Sequence, residues 1–407
     1  MVVTAWVMTV STIQLFVGVV LAATLIEDLG ITRWQIGLLG AVNTGVGALV
    51  APSLGRLADR LGARRSAVLV VIVSAAALVS TAAALTYWML VAASMLAGLP
   101  QGAGNPVTNK LIAEEVPPQA QGAVTGVKQS GVQFAVFLSG LMLPASSTTI
   151  GWRWAVTGFA AFTLLTAAVI HFRFPSDRLI APRSADLQRP GPRPGPSPSP
   201  VETPPLSRPN RRDQNETDRE AVGRFVAIVA VYSFLLGMVA GGITRFYPLF
   251  SQEVLGFSET TAGLAVSVTG LTAIAARLIW GTITDRLISS HRSLRLLAVG
   301  ASLTALLLLA AEWLASWLLW PAVVLAAFTV VAWNVVAMLA VIRSVRPEES
   351  GRSTGIVLAG FLGGLTISAP LAGLAVDRLG SYQPVWVALC LVSLSGALVM
   401  RSPRTRR

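Results

Sequence analysis

The sequence has few of the residues that build metal sites, disulfides or phosphate-binding loops. It contains 1 cysteine, Cys390, and 2 histidines, so it can form neither an intrachain disulfide nor the ligand cluster of a zinc or haem site. Neither lysine, Lys110 or Lys128, stands in the pattern G-x-x-x-x-G-K-[ST] of a phosphate-binding loop. No pairing of a nucleophile with a base is visible. We therefore predict a protein that is not an enzyme, with no catalytic residues, no metal, no cofactor and no implied ATPase subunit.

Charge is also scarce, and apolar residues are abundant. Charged residues make up 12% of the chain and hydrophobic residues 54%, with a mean hydropathy of +0.67, whereas soluble domains carry about 25% charged residues. This composition excludes a soluble globular enzyme and a disordered chain. Twelve apolar segments are long enough to cross a membrane as helices. We predict an all-α membrane protein with spans at about 5–26, 35–55, 66–86, 89–109, 121–143, 153–173, 224–249, 261–282, 295–313, 317–341, 353–375 and 384–400.

The position of the basic residues predicts the orientation. The net charge is +12, and most of the 31 lysines and arginines fall in loops on one side of the predicted membrane. Because cytoplasmic loops are enriched in lysine and arginine, we place both termini in the cytoplasm. This distribution disfavours a nucleic-acid partner and makes the lipid bilayer the expected one. The composition, rich in arginine and alanine and poor in lysine, indicates a bacterial inner membrane, and we expect a multi-pass monomer.

The chain divides into two similar halves joined by a linker. We assign residues 1–173 to an N-terminal six-helix bundle, 174–222 to a linker, 223–400 to a C-terminal six-helix bundle and 401–407 to a basic tail. The linker holds about half of the chain's 23 prolines and cannot bury apolar surface, so we predict disorder there. It is interpreted as a tether, with a regulatory docking segment as the alternative.

The two halves repeat one another in sequence. The segment Gly55-Arg-Leu-Ala-Asp59-Arg60 matches Gly281-Thr-Ile-Thr-Asp285-Arg286, and the register of later matches aligns Asn105 with Asn334. An even number of spans in each copy gives both copies the same orientation. Parallel repeats of this kind are typical of secondary transporters, whose substrate sites lie near the midplane between the halves.

The loop after the second span resembles the hallmark loop of the major facilitator superfamily. It reads Gly55-Arg-Leu-Ala-Asp59-Arg60-Leu-Gly-Ala-Arg64-Arg65, with a weaker copy at 281–292. The resemblance implies twelve helices in two pseudo-symmetric bundles, transport by alternating access, and a cytoplasmic latch formed by this loop. Asp59 would need a helix N-terminus or an arginine of the other half as its partner. The alternative is that these residues only orient the helices. The predicted latch comprises Gly55, Asp59, Arg60, Arg64, Arg65, Gly281, Asp285, Arg286 and Arg277.

Two basic residues lie deep within predicted spans, and no acidic residue does. Lys128 is in the fifth span and Arg245 in the seventh, and a buried charge is costly in a membrane. A substrate anion would neutralise them, although each side chain could instead extend to its nearer membrane surface. Arg277, near the end of the eighth span, could likewise extend to the surface or join the latch. The tentative substrate-binding set is Lys128, Arg245, Gln129, Gln133, Asn105 and Asn334.

Differences between this sequence and other branches of the superfamily favour one class of substrate over the others. Drug–proton antiporters usually carry an arginine where this chain has Gly98, and a proline where it has Val132. The sequence around Lys128, together with the turn Asp377-Arg-Leu-Gly380, is more similar to that of the bacterial cyanate and organic-anion permeases. We therefore expect a transporter of a small organic anion. The alternatives are an efflux pump for hydrophobic compounds and a membrane sensor that does not transport.

Overall fold

The protein is built of long helices. A computed structural model describes residues 2–173, 211–286 and 288–400, and within these ranges there is no strand. The first half contains α1 Val2–Val20, α2 Ala22–Leu29, α3 Arg33–Leu61, α4 Ala63–Ala82, α5 Tyr87–Glu115, α6 Gln121–Ile150 and α7 Trp152–Arg173. The second half contains α8 Arg211–Glu253, α9 Glu259–Arg286, α10 Ser290–Trp313, α11 Leu319–Ala326, α12 Trp333–Ser344, α13 Pro347–Leu379 and α14 Gln383–Val399.

These helices make twelve crossings, six in each half. Within the described ranges, nine helical stretches are long and apolar enough to cross a membrane, and α5, α7 and α14 complete the set. The first crossing is α1 continued by α2. The tenth is α11 continued through the π-helical segment Ala327–Val331 into α12. The predicted all-α fold of two six-helix halves is confirmed.

The boundary of the second half differs from the prediction. The linker was expected to extend to residue 222, but α8 begins at Arg211. Residues 211–222 contain neither proline nor glycine, so nothing in their backbone chemistry interrupts a helix. The rest of the predicted linker, 174–210, and the tail at 401–407 lie outside the described residues.

Local capping signals fix where α3 begins and where α13 ends. The side chain of Thr32 accepts a hydrogen bond from the amide of Gln35, whose side chain bonds back to Thr32 in a capping box. Gly380 ends α13 with a φ of 64°, a left-handed conformation that favours glycine. These two helix ends face each other across the two halves.

The bundle has two chemically different ends, which we name here. The basic face is the end at which α3 and α5 finish and α13 begins, with Arg56, Arg60, Lys110, Arg346 and Arg352. The opposite face is the end at which α3 begins and α8 and α13 finish, with Arg33, Glu253 and Asp377.

Helices α6 and α9 join the two halves over much of their length. The hydroxyl of Ser267 donates to the carbonyl oxygen of Phe137 at 2.9 Å. Gly140 and Gly263 face each other so closely that a Cβ on either would collide with the backbone of the other, and Gly270 lies against the carbonyl oxygen of Gln133. Small residues allow such close approach of two membrane helices.

Helices α3 and α13 join the halves near the opposite face and diverge toward the basic face. A Cβ on Gly37 of α3 would collide with the backbone carbonyl of Ala369 in α13. Three or four turns further on, the same sides of these helices are exposed, at Ala48 and Pro52 on α3 and at Gly355 and Ala359 on α13. The halves are therefore closed at the opposite face and open toward the basic face.

Close packing at Gly131 predicts a localised effect on stability. A Cβ there would collide with the carbonyl oxygen of Ala5 in α1, whereas a Cβ on Gly126 of the same helix would meet no neighbour. Overpacking costs about 1–3 kcal/mol, and each kcal/mol lowers the melting temperature of a large domain by about 2–4 °C. We expect Gly131→Ala to lower the melting temperature by several degrees in a thermal-shift assay.

Gly126→Ala is the matched control, and because alanine favours helix it should leave the melting temperature unchanged or raised. Equal melting temperatures for the two variants would contradict the packing of α1 on α6.

Candidate functional site

A central cavity of about 230 Å³ lies between the two halves. Its walls come from α1 and α6 of the first half and from α8, α9, α12, α13 and the π-helical segment of the second. Most of the wall is apolar, and the rings of Trp333 and Phe361 stack there at 4.2 Å between centroids. None of the lining residues is acidic. The polar lining residues are Gln133, Thr244, Arg245, Tyr247, Thr269, Arg277 and Asn334.

Arg245 reaches from the second half into the first. Its side chain is buried, and the Nη1 atom donates to the carbonyl oxygen of Leu15 in α1 at 3.2 Å. The guanidinium lies flat against Gly40 of α3, where an added Cβ would stand 2.8 Å from Nη1 and 2.9 Å from Cζ. No ion pair joins Arg245 to an acid in the described parts of the chain. Arg245 thus lines the cavity, and its role in substrate binding stays a prediction.

Behind that guanidinium lies a small polar pocket inside the first half. Arg245 borders it together with Gln14 and Asn43, and the pocket has about 30 Å³ of space, enough for one or two waters. The oxygens Gln14 Oε1 and Asn43 Oδ1 are buried without a hydrogen-bond partner from the protein. Arg245 therefore lies between two spaces, the central cavity between the halves and the small pocket within the first half.

Arg277 lines the central cavity instead of the latch loop to which its position in the sequence assigned it. Its Nη1 atom donates to the backbone carbonyl of Gln129 in α6 at 2.8 Å, which again links the two halves. The Nε atom is buried and has no partner, and no carboxylate pairs with this guanidinium in the described ranges. The cavity thus holds two arginines, both from the second half, where the sequence analysis expected one.

Lys128 is buried, at 1% exposure, but it lies outside the lining of the central cavity. Its ammonium donates to Asn105 Oδ1 at 3.1 Å and to Asn109 Oδ1 at 2.6 Å. Gln129 Nε2 also approaches Asn105 Oδ1, at 3.4 Å. Two neutral amides hold this cation, and both come from α5 of the same half. Sequence analysis missed Asn109, although its place one turn after Asn105 could have indicated it.

Two of the predicted amide residues line the cavity. Gln133 of the first half and Asn334 of the second each have a buried side-chain oxygen without a protein partner. Gln129 contributes its backbone carbonyl to Arg277, and Asn105 holds Lys128. The structure thus separates the predicted set into a cavity group, Arg245, Gln133 and Asn334, and an α5–α6 group, Lys128, Asn105 and Gln129.

In the predicted latch loop, the contacts of Asp59 lie within its own half. The carboxylate of Asp59 is 77% exposed and lies 3.6 Å from Lys110, which also donates to the backbone carbonyl of Asp59 at 3.0 Å. Arg60 is exposed, and Gly281 has room for a Cβ. Arg64 and Arg65 do have partners. The side chains of Asp285 and Arg286 lie outside the described residues.

A charged network at the opposite face was not predicted. Arg33 Nε and Nη2 both bond to the carboxylate of Glu253 at 2.9 Å, and Arg33 Nη1 lies 3.3 Å from Asp377. The hydroxyl of Tyr382 donates to Glu253 as well. Burial, together with the charge of Glu253, raises the pKa of Tyr382 above its usual value, so the hydroxyl remains a donor. This network joins α3 of the first half to α8 and α13 of the second.

Two helical halves around a shared, largely apolar cavity define an all-α membrane protein of the transporter type. A model of the Major Facilitator Superfamily matches residues 4–357, and the chain belongs to this family. Two probable nitrate/nitrite transporters named NarK2, from two strains of Mycobacterium tuberculosis, are 29% identical over 363 residues, which cover 84% of this chain and 80% of theirs.

Solved structures share the fold at lower identity. A D-xylose–proton symporter superposes with a TM-score of 0.74 and 15% identity, covering 100% of this chain and 98% of that one. A bacterial homologue of the human lysosomal transporter Spinster, in an inward-facing and occupied conformation, gives a TM-score of 0.70 at 16% identity and covers 98% and 92% of the two chains. These likenesses confirm the fold of the superfamily.

The hydrogen bond between Lys128 and Asn109 predicts that substitutions at these two residues have non-additive effects on stability. Asn109→Leu removes one acceptor from a buried ammonium, and a hydrogen bond to a charged group is worth about 1.5–3 kcal/mol. We expect this variant to lower the melting temperature by several degrees. In a Lys128→Met background the same substitution should have little effect, because no charge is left without a partner.

The measurement is a double-mutant cycle by thermal shift in detergent. An equal loss in both backgrounds would show that Asn109 stabilises the fold independently of Lys128.

Proposed function

We propose that this transporter carries a small anion through the cavity between its halves. The observation that carries the proposal is the pair of guanidinium groups in that cavity, Arg245 and Arg277, which no carboxylate neutralises in the described residues. An uncompensated cation in a membrane interior is costly. A bound anion would supply the missing charge, and guanidinium groups suit planar oxyanions because they donate in pairs.

The size and lining of the cavity support a small solute. Its volume of about 230 Å³ is below the range of about 300–1,000 Å³ typical of drug-sized ligands. The amides of Gln133 and Asn334 have hydrogen-bonding capacity that the protein does not satisfy, and an amide can present its NH₂ group to an anion. The anion class includes small organic anions, which the sequence analysis favoured, and inorganic oxyanions.

The named relatives favour the inorganic members of that class. The two Mycobacterium tuberculosis proteins are called nitrate/nitrite transporters, and they align with most of this chain. Nitrate and nitrite are small and planar, which matches both the cavity and its guanidinium groups. They are therefore the first anions to test.

We further propose that the basic face is cytoplasmic and that the membrane is a bacterial inner membrane. The support is the distribution of lysine and arginine in the loops. In this orientation the cavity opens to the cytoplasm and the opposite face is closed. Transport then requires the halves to rock to a second state that is open at the other face.

Ligand binding tests the proposal on the purified protein. Because a ligand that binds the folded state alone raises the melting temperature, nitrate, nitrite, formate and cyanate should each be compared with choline and with lipophilic cations. We expect concentration-dependent stabilisation by one or more anions, with that effect lost in Arg245→Gln and Arg277→Gln. Uptake of the same anion into proteoliposomes should then show flux.

Stabilisation by lipophilic compounds alone would replace this proposal with efflux of hydrophobic compounds, which the apolar walls of the cavity would suit. Binding of an anion without flux would indicate a sensor built on the transporter fold.

Gly40 gives a sharper test of the position of Arg245. A Cβ at this site would displace the guanidinium, whereas a Cβ on Gly45 of the same helix would meet nothing. We expect Gly40→Ala to weaken anion affinity about tenfold, which corresponds to the loss of about 1.4 kcal/mol of charge-assisted hydrogen bonding. The Gly45→Ala variant should bind the anion with the same affinity as the native protein. A similar loss of affinity in both variants would contradict a role for Arg245 in the anion site.

A further inference from the structure

Besides the weaker copy at 281–292, a further copy of the hallmark pattern ends α13, the helix that packs on α3. The segment Gly373-Leu-Ala-Val-Asp377-Arg-Leu-Gly380 has the same spacing as Gly55-Arg-Leu-Ala-Asp59-Arg-Leu-Gly62. The segment at 373–380 forms the end of α13, and the segment at 55–62 forms the end of α3. These two helices come from different halves and face each other, so the two copies lie at opposite ends of one helix pair.

At the opposite face the copy on α13 is engaged. Asp377 accepts the first two amides of α3, from Arg33 at 3.2 Å and from Trp34 at 2.8 Å. These amides have no partner within their own helix, and the helix dipole adds a positive charge at this end. Gly373 lies so close to α3 that a Cβ would collide with the carbonyl of Arg33.

At the basic face the Asp59 side chain of the copy on α3 does not contact α13 within the described residues. The carboxylate of Asp59 is 77% exposed and approaches Lys110 of its own half. Gly55 has ordinary space, since its nearest neighbour for a Cβ would be Pro106 at 3.6 Å. The N-terminus of α13 has Arg346 at its N-cap position and no side-chain cap there. The glycine and the aspartate of the engaged contact thus have counterparts here that are not engaged, whereas the first residue of α13, Pro347, has no N–H to donate.

We propose that Asp377 on α13 forms a second latch on the same helix pair, reciprocal to the latch that the family resemblance assigns to Asp59. With the opposite face closed, Asp377 caps the N-terminus of α3. With the basic face closed, Asp59 accepts amides that follow Pro347 in the first turn of α13, and Gly55 packs against that turn. When the halves rock, α3 and α13 can be in contact at one end only. One latch must therefore open before the other closes. The ratio of the state closed at the opposite face to the state closed at the basic face then depends on the difference in stability between the two latches.

Arg33 strengthens the latch at the opposite face. Its two bonds to Glu253 attach α8 to the same helix end, and Tyr382 holds Glu253 from the loop after α13. At the basic face Asp59 has Lys110 as its competitor, and Lys110 also lies 3.7 Å from Glu114. The charged groups around each aspartate therefore set how strongly that latch holds.

Opposite shifts of the conformational equilibrium test the proposal. In a Cys390→Ser background, spin labels at Glu27→Cys and Ser316→Cys would report the width of the opposite face. Labels at Glu115→Cys and Ser344→Cys would report the basic face. Distances are measured between labels in lipid nanodiscs without added anion, so the result does not depend on the substrate.

We expect Asp377→Asn to move the population about tenfold toward a wide opposite face and a narrow basic face. Asp59→Asn should move it in the other direction, and the double variant should return toward the native ratio. Asp28→Asn is the matched control, because Asp28 pairs at the opposite face with Arg153 of its own half, at 2.8 Å, and should leave both distances unchanged.

Three results would overturn the proposal: no shift with Asp377→Asn, shifts of the two single variants in the same direction, or a shift with Asp28→Asn as large as that with Asp377→Asn. None of these results bears on whether the cavity binds an anion.

Discussion

The guanidinium of Arg245 crosses from one half of the protein to the other, and among the described residues no acid neutralises it. It lies over Gly40 and bonds to a backbone carbonyl of α1, so its position depends on how the two halves meet. Arg277 makes the corresponding contact to α6 from the other side of the cavity. The proposed anion site is therefore held by both halves, and we expect anion binding to depend on their relative position.

Packing decides how the halves can move. Along α6 and α9, glycines allow backbone contact over several turns, whereas α3 and α13 touch near one end. A pair in contact along its length is suited to act as a pivot, and a pair in contact at one end is suited to act as a gate. The charged network of Arg33, Glu253 and Asp377 is placed where that gate is closed.

Much of the fold was predictable because its signals are local or repeated. Hydropathy predicted the helical crossings, and the internal repeat predicted two equivalent halves. Lys128 and Arg245 stood out because they are basic residues in apolar segments. Position along a span did not show which side of the helix faces the cavity, so Arg277 was assigned to the latch and Lys128 to the cavity. In the structure Arg277 lines the central cavity, whereas Lys128 lies outside its lining and bonds to Asn105 and Asn109.

Contacts between distant segments could not be predicted in the same way. Arg33 and Asp377 are far apart in the sequence, and each lies at a helix end where a charge is unremarkable. The second Gly-x-x-x-Asp-Arg-Leu-Gly segment was visible, but its meaning depends on α13 facing α3, which only the packing reveals. The pocket behind Arg245 likewise arises from residues of five helices in the first half, α1 to α5.

Direct location of a bound anion tests the central claim. A crystal structure determined with bromide in place of the physiological anion, using anomalous scattering, would show where negative charge is held. The account predicts a bromide peak in the central cavity, within contact distance of the guanidinium of Arg245 or Arg277. An ordered structure with both arginines well defined and no anomalous peak in that cavity would contradict it.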